Sequence, residues 1–193
     1  VSITHAGYIK RLPLTSYKKQ HRGGKGVIGA NLKEDDFVEH LFIASSHDYI
    51  LFFSDQGKVY WLKVYDIPEL DKTAKGRAII NLLELSENEQ ITSMIPIREF
   101  NDRNLAMATQ MGTIKKVILR AFGRPKRGGI IAITLDVGEK LIGVKLTNGN
   151  QELILCSKMG KSIRFSETEV RSMGRAARGV RGIRLKKNDE VID

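Results

Sequence analysis

A single cysteine stands among 193 residues, so neither an internal disulfide nor a cysteine-based zinc site can form. That residue, Cys156, lies in Leu153-Ile154-Leu155-Cys156 and reads as a buried strand position. No apolar run approaches the ~18 residues of a membrane span, and Val1 does not open a signal peptide, so a cytoplasmic chain with no membrane partner is expected. His5, His21, His40 and His47 lack ligand spacing and a carboxylate or cysteine partner, which argues against a metal centre. His40 and His47 flank a strand and read as surface or turn residues. No amphipathic helix exceeds about two turns, and the best stretch, Tyr65–Asp71, is interrupted by Pro68. Without a recognition helix, base readout in a major groove should be slight.

Two familiar phosphate motifs are only imitated. Gly24–Gly29 satisfies G-x-G-x-x-G, but no strand precedes it and Asn31–Asp36 does not read as the following helix. Gly160-Lys161-Ser162 ends like a P-loop, yet Leu155 occupies the place of the first glycine.

Positive charge is plentiful and unevenly spread. The chain carries a net +10. From Lys115 to Lys187 there are 18 Lys and Arg against five acids, a local +13 that leaves −3 for the remainder. Such concentration favours a polyanion track over a merely solvated surface.

The chain also repeats itself four times, at a period of about fifty residues. One anchor is Ser/Thr-x-x-Gly: Thr4–Gly7, Ser54–Gly57, Thr109–Gly112 and Ser157–Gly160. A short, partly basic, alternating strand follows each. The second anchor is a glycine with leucine six residues on: Gly26/Leu32, Gly76/Leu82, Gly129/Leu135 and Gly179/Leu185. Between anchors, short runs rich in Ile, Val, Phe and Tyr are separated by turn residues, the signature of strands. Leu141–Thr147 and Glu152–Ser157 flank Asn148-Gly149, which predicts a type I′ hairpin, and Phe37–Ser46 with Asp48–Ser54 predicts a similar one. Met107 reads as core, and Trp61 as packed between blades or at a rim. The expectation is an all-β, propeller-like array of four-stranded blades, with approximate repeats 1–48, 49–103, 104–150 and 151–193. Both chain ends fall inside a repeat, as in a fragment.

At the second anchor of repeat one stands Gln20-His21-Arg22-Gly23-Gly24-Lys25-Gly26, preceded by Lys18 and Lys19. Arg22 and Lys25 supply cations, and the glycines remove side chains so that backbone N–H groups can approach phosphate. In-phase loops carry Lys72, Lys75 and Arg77; then Arg120, Arg124, Lys126 and Arg127; then Arg171, Arg175, Arg178 and Arg181. Asp66, Glu69 and Asp71 flank the second, which should contribute least. Tyr17 and Phe122 are the nearest aromatics, too few for single-strand stacking platforms, so duplex backbone contact is favoured.

The heptapeptide QHRGGKG resembles the gyrase A-box, and the whole chain resembles the C-terminal DNA-wrapping domains of gyrase A subunits, a type IIA topoisomerase family. The resemblance implies a β-pinwheel whose blades exchange strands and whose basic perimeter bends double-stranded DNA. It implies a non-catalytic part of an ATP-dependent enzyme, with ATP and Mg²⁺ used in other domains and no cofactor here. The implied partners are the rest of the gyrase A subunit and the gyrase B subunit, in an A2B2 assembly on the bacterial nucleoid. Such domains usually have six blades, so about two would be missing. A topoisomerase IV counterpart, a propeller used as a protein scaffold, and an RNA or heparin-like polyanion binder are the competing readings.

Overall fold

The computed structural model describes residues 1–26 and 36–193. Leu32, the second-anchor leucine of repeat one, and the second half of the Gly24–Gly29 motif lie outside the described residues. Among those residues the fold is all-β: short strands joined by turns, with only brief 3₁₀ segments such as Leu14–Ser16 and Leu119–Phe122.

The Ser/Thr-x-x-Gly anchors are hairpin turns, and their chemistry explains the spacing. Each glycine donates its N–H to the Ser/Thr carbonyl, at 2.9 Å for Gly7 and 3.0 Å for Gly57, Gly112 and Gly160. All four glycines adopt positive φ, from 76° to 83°, a region that costs other residues strain. The Ser/Thr hydroxyl then accepts the N–H four residues on, as Thr113 N to Thr109 Oγ1 at 3.1 Å and Lys161 N to Ser157 Oγ at 3.2 Å. It also meets a carboxylate from later in the repeat. Thr109 donates to Glu139, and Ser157 donates to Asp189 at 2.7 Å. The hydroxyls of Thr4 and Ser54 face Asp36 and Glu89 less closely, and Asp36 Oδ2 and Glu89 Oε1 have no hydrogen-bond donor of full geometry.

These turns join β1 (Ser2–Thr4) to β2 (Tyr8–Lys10). In the next two repeats, beyond β3 (Val38–Leu41), they join β4 (Tyr49–Ser54) to β5 (Lys58–Lys63) and, after β6 (Arg77–Ala78) and β7 (Ile91–Ile97), β8 (Asn104–Thr109) to β9 (Thr113–Ile118). The remaining strands are β10 (Ile130–Ile131), β11 (Leu141–Thr147), β12 (Glu152–Cys156), β13 (Ser162–Ser166) and β14 (Val180–Arg181). Three sheets have four strands, in the orders β3-β1-β2-β6, β10-β5-β4-β7 and β11-β8-β9-β14; the fourth is the pair β12-β13. In each four-stranded sheet one outer strand comes from the following repeat. The three exchanged strands share a register, pairing Tyr8 with Ala78, Lys58 with Ile131, and Thr113 with Arg181.

The second-anchor glycine makes the exchange possible. A Cβ at Gly76 would stand 2.9 Å from the Ile9 carbonyl oxygen, at Gly129 2.7 Å from the Tyr60 ring, and at Gly179 2.7 Å from the Ile114 oxygen. In repeat two the leucine that matches Leu135 and Leu185 in its distance from the acid facing the hairpin hydroxyl is Leu85, not Leu82. A 3₁₀ turn at Ile79–Asn81 adds three residues ahead of it.

The chain divides into two compact units, Val1–Tyr49 with Leu62–Glu84, and Ile50–Trp61 with Leu85–Asp193. The first buries Ile3, Ile9, Val64, Ile67, Ile79 and Leu83. The second is built on Leu51, Phe53, Val59, Leu105, Met107, Val117, Leu119, Phe122 and Leu141, with a smaller cluster around Ile114, Leu155 and Val170. Met107 is core as expected. Trp61 packs against the larger cluster and donates Nε1–H to the Phe122 carbonyl at 2.9 Å.

Two hairpin expectations fail. β11 pairs with β8, and β12 with β13, so Asn148-Gly149 links two sheets. Gly149 has φ +99°, but Asn148 is not in the left-handed region that a type I′ turn demands. A buried acid shapes the link instead: Glu167 accepts from Gly149 N at 2.8 Å, Gln151 N at 2.9 Å and Thr147 Oγ1 at 2.7 Å. β3 likewise pairs with β1 rather than with β4. His40 lies within β3 rather than beside a strand, and Cys156, at the end of β12, is only half-buried because its strand belongs to the two-stranded sheet.

Burial pushes the Glu167 carboxyl up, but the hydrogen bonds from Thr147, Gln151 and Gly149 and the Lys116 ammonium outweigh it and hold the group below its ordinary 4.5. Glu89 is lowered in the same way, burial being outweighed by Ser54, Ser86, Tyr60 and Lys58. The folded values lie below the unfolded ones, so this stabilisation is complete above pH 4.5 and is lost as pH falls through the folded values. Glu167→Gln, which turns an amide donor towards backbone N–H groups, is expected to cost about 2–4 kcal/mol. Urea unfolding at pH 7 and at pH 3.5 checks both, the difference between variant and parent narrowing at the lower pH.

Candidate nucleic-acid interface

The QHRGGKG loop is closed by its own first residue. The Gln20 amide accepts from Gly26 N at 3.0 Å and donates to Gly26 O at 3.2 Å, and Gly24 N closes a turn on the His21 carbonyl at 3.0 Å. Each glycine then has a separate reason. Gly23 and Gly26 adopt φ of +85° and +73°, and a Cβ on Gly24 would stand 2.6 Å from Gln20 Oε1. With the ring closed, Lys18, Lys19, His21, Arg22 and Lys25 all lie exposed. Gln20 therefore acts on the loop as a clasp, a role that composition alone did not suggest.

The same turn recurs at the same distance ahead of the anchor glycine in two other repeats: Ala74 N to Asp71 O at 3.1 Å, and Ala177 N to Gly174 O at 3.1 Å. In repeat three the turn lies two residues later, with Gly129 N donating to Lys126 O at 3.0 Å. In repeats two to four the loop then runs through its positive-φ glycine into the exchanged strand.

The loops differ in how their cations are placed. In the second, Lys75 Nζ lies 3.6 Å from the Tyr8 ring centroid and Lys72 Nζ 5.4 Å from that of Tyr17, cation–π positions that hold both lysines against the fold. Arg11 pairs with Glu69 beside them, while Arg77 is exposed. In the third, Arg124, Lys126 and Arg127 are exposed, and Arg120 pairs with Asp102 at 2.9 Å. Phe122 is fully buried and offers no stacking face. In the fourth, Arg171 and Arg181 are exposed, Arg175 is half-buried and Arg178 pairs with Asp136 at 2.6 Å. That pair, with Thr134 Oγ1 donating to Ala176 O at 2.8 Å, sets the fourth loop against the segment that follows the third.

Not every residue of the basic run belongs to the surface. Lys115 and Lys116 are buried. Lys116 Nζ donates to the Glu167 carbonyl at 2.6 Å and stands 3.7 Å from its carboxylate. Lys115 Nζ donates to Ala132 O at 2.7 Å and to Arg175 O. Burial, and then the Arg175 charge, bring the Lys115 ammonium down to about 8. Both faces of β9 are covered, so these adjacent lysines are both buried although they point to opposite sides of the sheet, and only part of the local +13 faces solvent.

Gln20→Ala opens the clasp without removing a charge, and Gly24→Ala forces it open. Both are expected to weaken binding to a linear duplex about three- to tenfold through lost loop pre-organisation. Because the loop is exposed, Gln20→Ala should leave the thermal midpoint within about 2 °C of the parent. Fluorescence anisotropy beside thermal unfolding checks the pair.

The family model described as DNA gyrase C-terminal domain, beta-propeller, matches residues 1–45, 48–98, 103–148 and 151–193. The DNA gyrase A subunit of Salmonella typhimurium is 51% identical over 193 residues, covering all of this chain and 22% of that protein. The chain thus spans about a fifth of the length of the curated relatives it matches. Among solved structures, the C-terminal domain of DNA topoisomerase IV matches all of the chain and 58% of its own length, at TM-score 0.87 and 27% identity. A DNA gyrase A C-terminal domain matches all of the chain and 62% of its own, at TM-score 0.71 and 27% identity. With four segments matched and sheets that borrow strands in one register, the chain belongs to the DNA gyrase C-terminal domain, beta-propeller family.

Proposed function

We propose that this chain binds and bends duplex DNA along its basic loops, and so serves negative supercoiling by a parent ATP-dependent type II topoisomerase of the gyrase kind. The observation that carries the reading is the recurrence of one loop geometry, a tight turn entering a positive-φ glycine, with cations exposed around it. A protein scaffold has no need to repeat such a loop in phase. Affinity comes from phosphate contact and counterion release, and so falls with salt. Preference among sequences comes from how cheaply each bends, since tight bending costs several kcal/mol (about 1–6 for a 20–30 bp site).

On this reading the chain is a non-catalytic part of the enzyme. Cleavage, ATP hydrolysis and Mg²⁺ chemistry belong to the rest of the gyrase A subunit and to the gyrase B subunit of an A2B2 assembly, in the cytoplasm on the nucleoid. A topoisomerase IV counterpart is favoured by the TM-score of 0.87 alone. The 51% identity to a gyrase A subunit and the intact QHRGGKG loop favour gyrase.

Arg22→Ala combined with Lys25→Ala in the full-length protein, assembled with its gyrase B partner, is expected to abolish supercoiling and spare relaxation; unchanged supercoiling would refute the role of the loop. Changing Arg124, Lys126 and Arg127 together to Ala should flatten the salt dependence of duplex binding, by up to about 0.9 in slope for each phosphate left without its cation. Stronger binding to RNA or single strands than to duplex, measured at several salt concentrations, would count against wrapping.

A further inference from the structure

Three residues beyond each first-anchor glycine stand Lys10, Tyr60, Lys115 and Ile163. The two lysines are buried, at 2% and 0% exposure. Lys10 Nζ donates to three carbonyls of the following repeat's loop: Asp71 at 3.2 Å, Lys72 at 2.6 Å and Ala74 at 2.7 Å. Lys115 Nζ donates to Ala132 O and to Arg175 O, the latter in the loop of repeat four. Neither ammonium has a carboxylate in ion-pair range among the described residues; burial dominates the environment of both. Burying a cation against neutral carbonyls alone is costly. Tyr60, at the same position, makes no such contact with the third loop; its hydroxyl donates to Glu89 at 2.8 Å and its ring lies under Gly129.

The geometry of the peptide group gives the buried ammonium a use. In a planar trans peptide the N–H points opposite to the C=O. Drawing the carbonyls of Asp71, Lys72 and Ala74 onto one inner atom therefore turns the N–H groups of Lys72, Thr73 and Lys75 away from it. The Arg175 carbonyl does the same for the N–H of Ala176. Outward N–H groups beside cationic side chains are donors that phosphate oxygens can meet.

We propose that Lys10 and Lys115 are positioning residues for DNA: each pins the loop of the following repeat from inside, so that loop amides face a phosphate, without touching the DNA itself. This rests on the duplex-binding reading and adds to it a role for cations that the surface does not show.

The test separates a positioning cation from a contacting one. Lys10→Met and Lys115→Met, made singly in the 193-residue chain, are titrated with a linear duplex at several salt concentrations. Each is expected to weaken binding about tenfold, the equivalent of one charge-assisted hydrogen bond to phosphate. The slope of log K against log salt should stay that of the parent, because no contacting charge is removed. Arg22→Ala, by contrast, should reduce the slope by about 0.9. Unchanged affinity, or a slope reduced as for Arg22→Ala, would overturn the proposal. Should a methionine variant fail to fold by circular dichroism, the unmodified chain is followed by amide NMR as a short duplex is added. Shifts at the amides of Lys72, Thr73, Lys75 and Ala176 are expected; stationary amides alongside moving Arg and Lys side-chain signals would overturn it equally. Absence of duplex binding by the unmodified chain would end the DNA reading first, and this proposal with it.

Discussion

At Gly76, Gly129 and Gly179 the backbone crosses the preceding repeat so closely that a methyl group would strike its carbonyl oxygen or ring. That crossing sets the depth at which each basic loop turns back into the fold, and it delivers the next two residues as the outer strand of a neighbouring sheet. Without it the sheets would end at a bare edge, and the loops would hang from the surface instead of being held at both ends. The positive φ of these glycines and the room they leave are therefore one requirement met by one residue type. The hairpin turns at the other anchor are equally constrained, but they act within a repeat, where a hydroxyl shared between a backbone N–H and a carboxylate ties the turn to its own sheet.

Charge in this chain does three different jobs. The first belongs to exposed cations such as Arg22, Lys25 and Arg124, which set the field outside the loops. Arg120 and Arg178 are tied to Asp102 and Asp136, exposed pairs worth little to stability that spend part of their charge locally. The third job is internal, where Lys10, Lys115 and Lys116 satisfy backbone carbonyls that the loops and links turn inward. A net charge read from composition adds these together, although only the first kind reaches far into solvent.

Local chemistry was legible in the sequence and pairing was not. Thr4-His5-Ala6-Gly7 and its three counterparts announce their turn because the residue types are the turn. The Gly76, Gly129 and Gly179 phase was visible too, since the same crossing is made three times. Asn148-Gly149 misled for a physical reason: turn residues report a change of direction, whereas the partner of β11 is chosen by β8, over thirty residues earlier in the chain. Strand exchange was expected only through the family resemblance, because a two-residue strand such as Arg77–Ala78 has no periodicity to read. Nothing in their own segments marks Lys10 and Lys115 as buried, since lysines in alternating strands usually face solvent. Burial on both sheet faces, which no single segment encodes, moved them inside.

Borrowed outer strands also bear on how the chain is made. While synthesis proceeds, β2 exposes an unpaired edge from the appearance of Lys10 until Ala78 follows, about 70 residues later. At roughly 5–20 residues per second that is on the order of 4–14 s for a nascent sheet to remain incomplete. The charged and polar residues among the early strands, Lys10 at the end of β2, Arg11 just after it, and Glu39 and His40 in β3, sit where another nascent chain would otherwise add a strand during that wait.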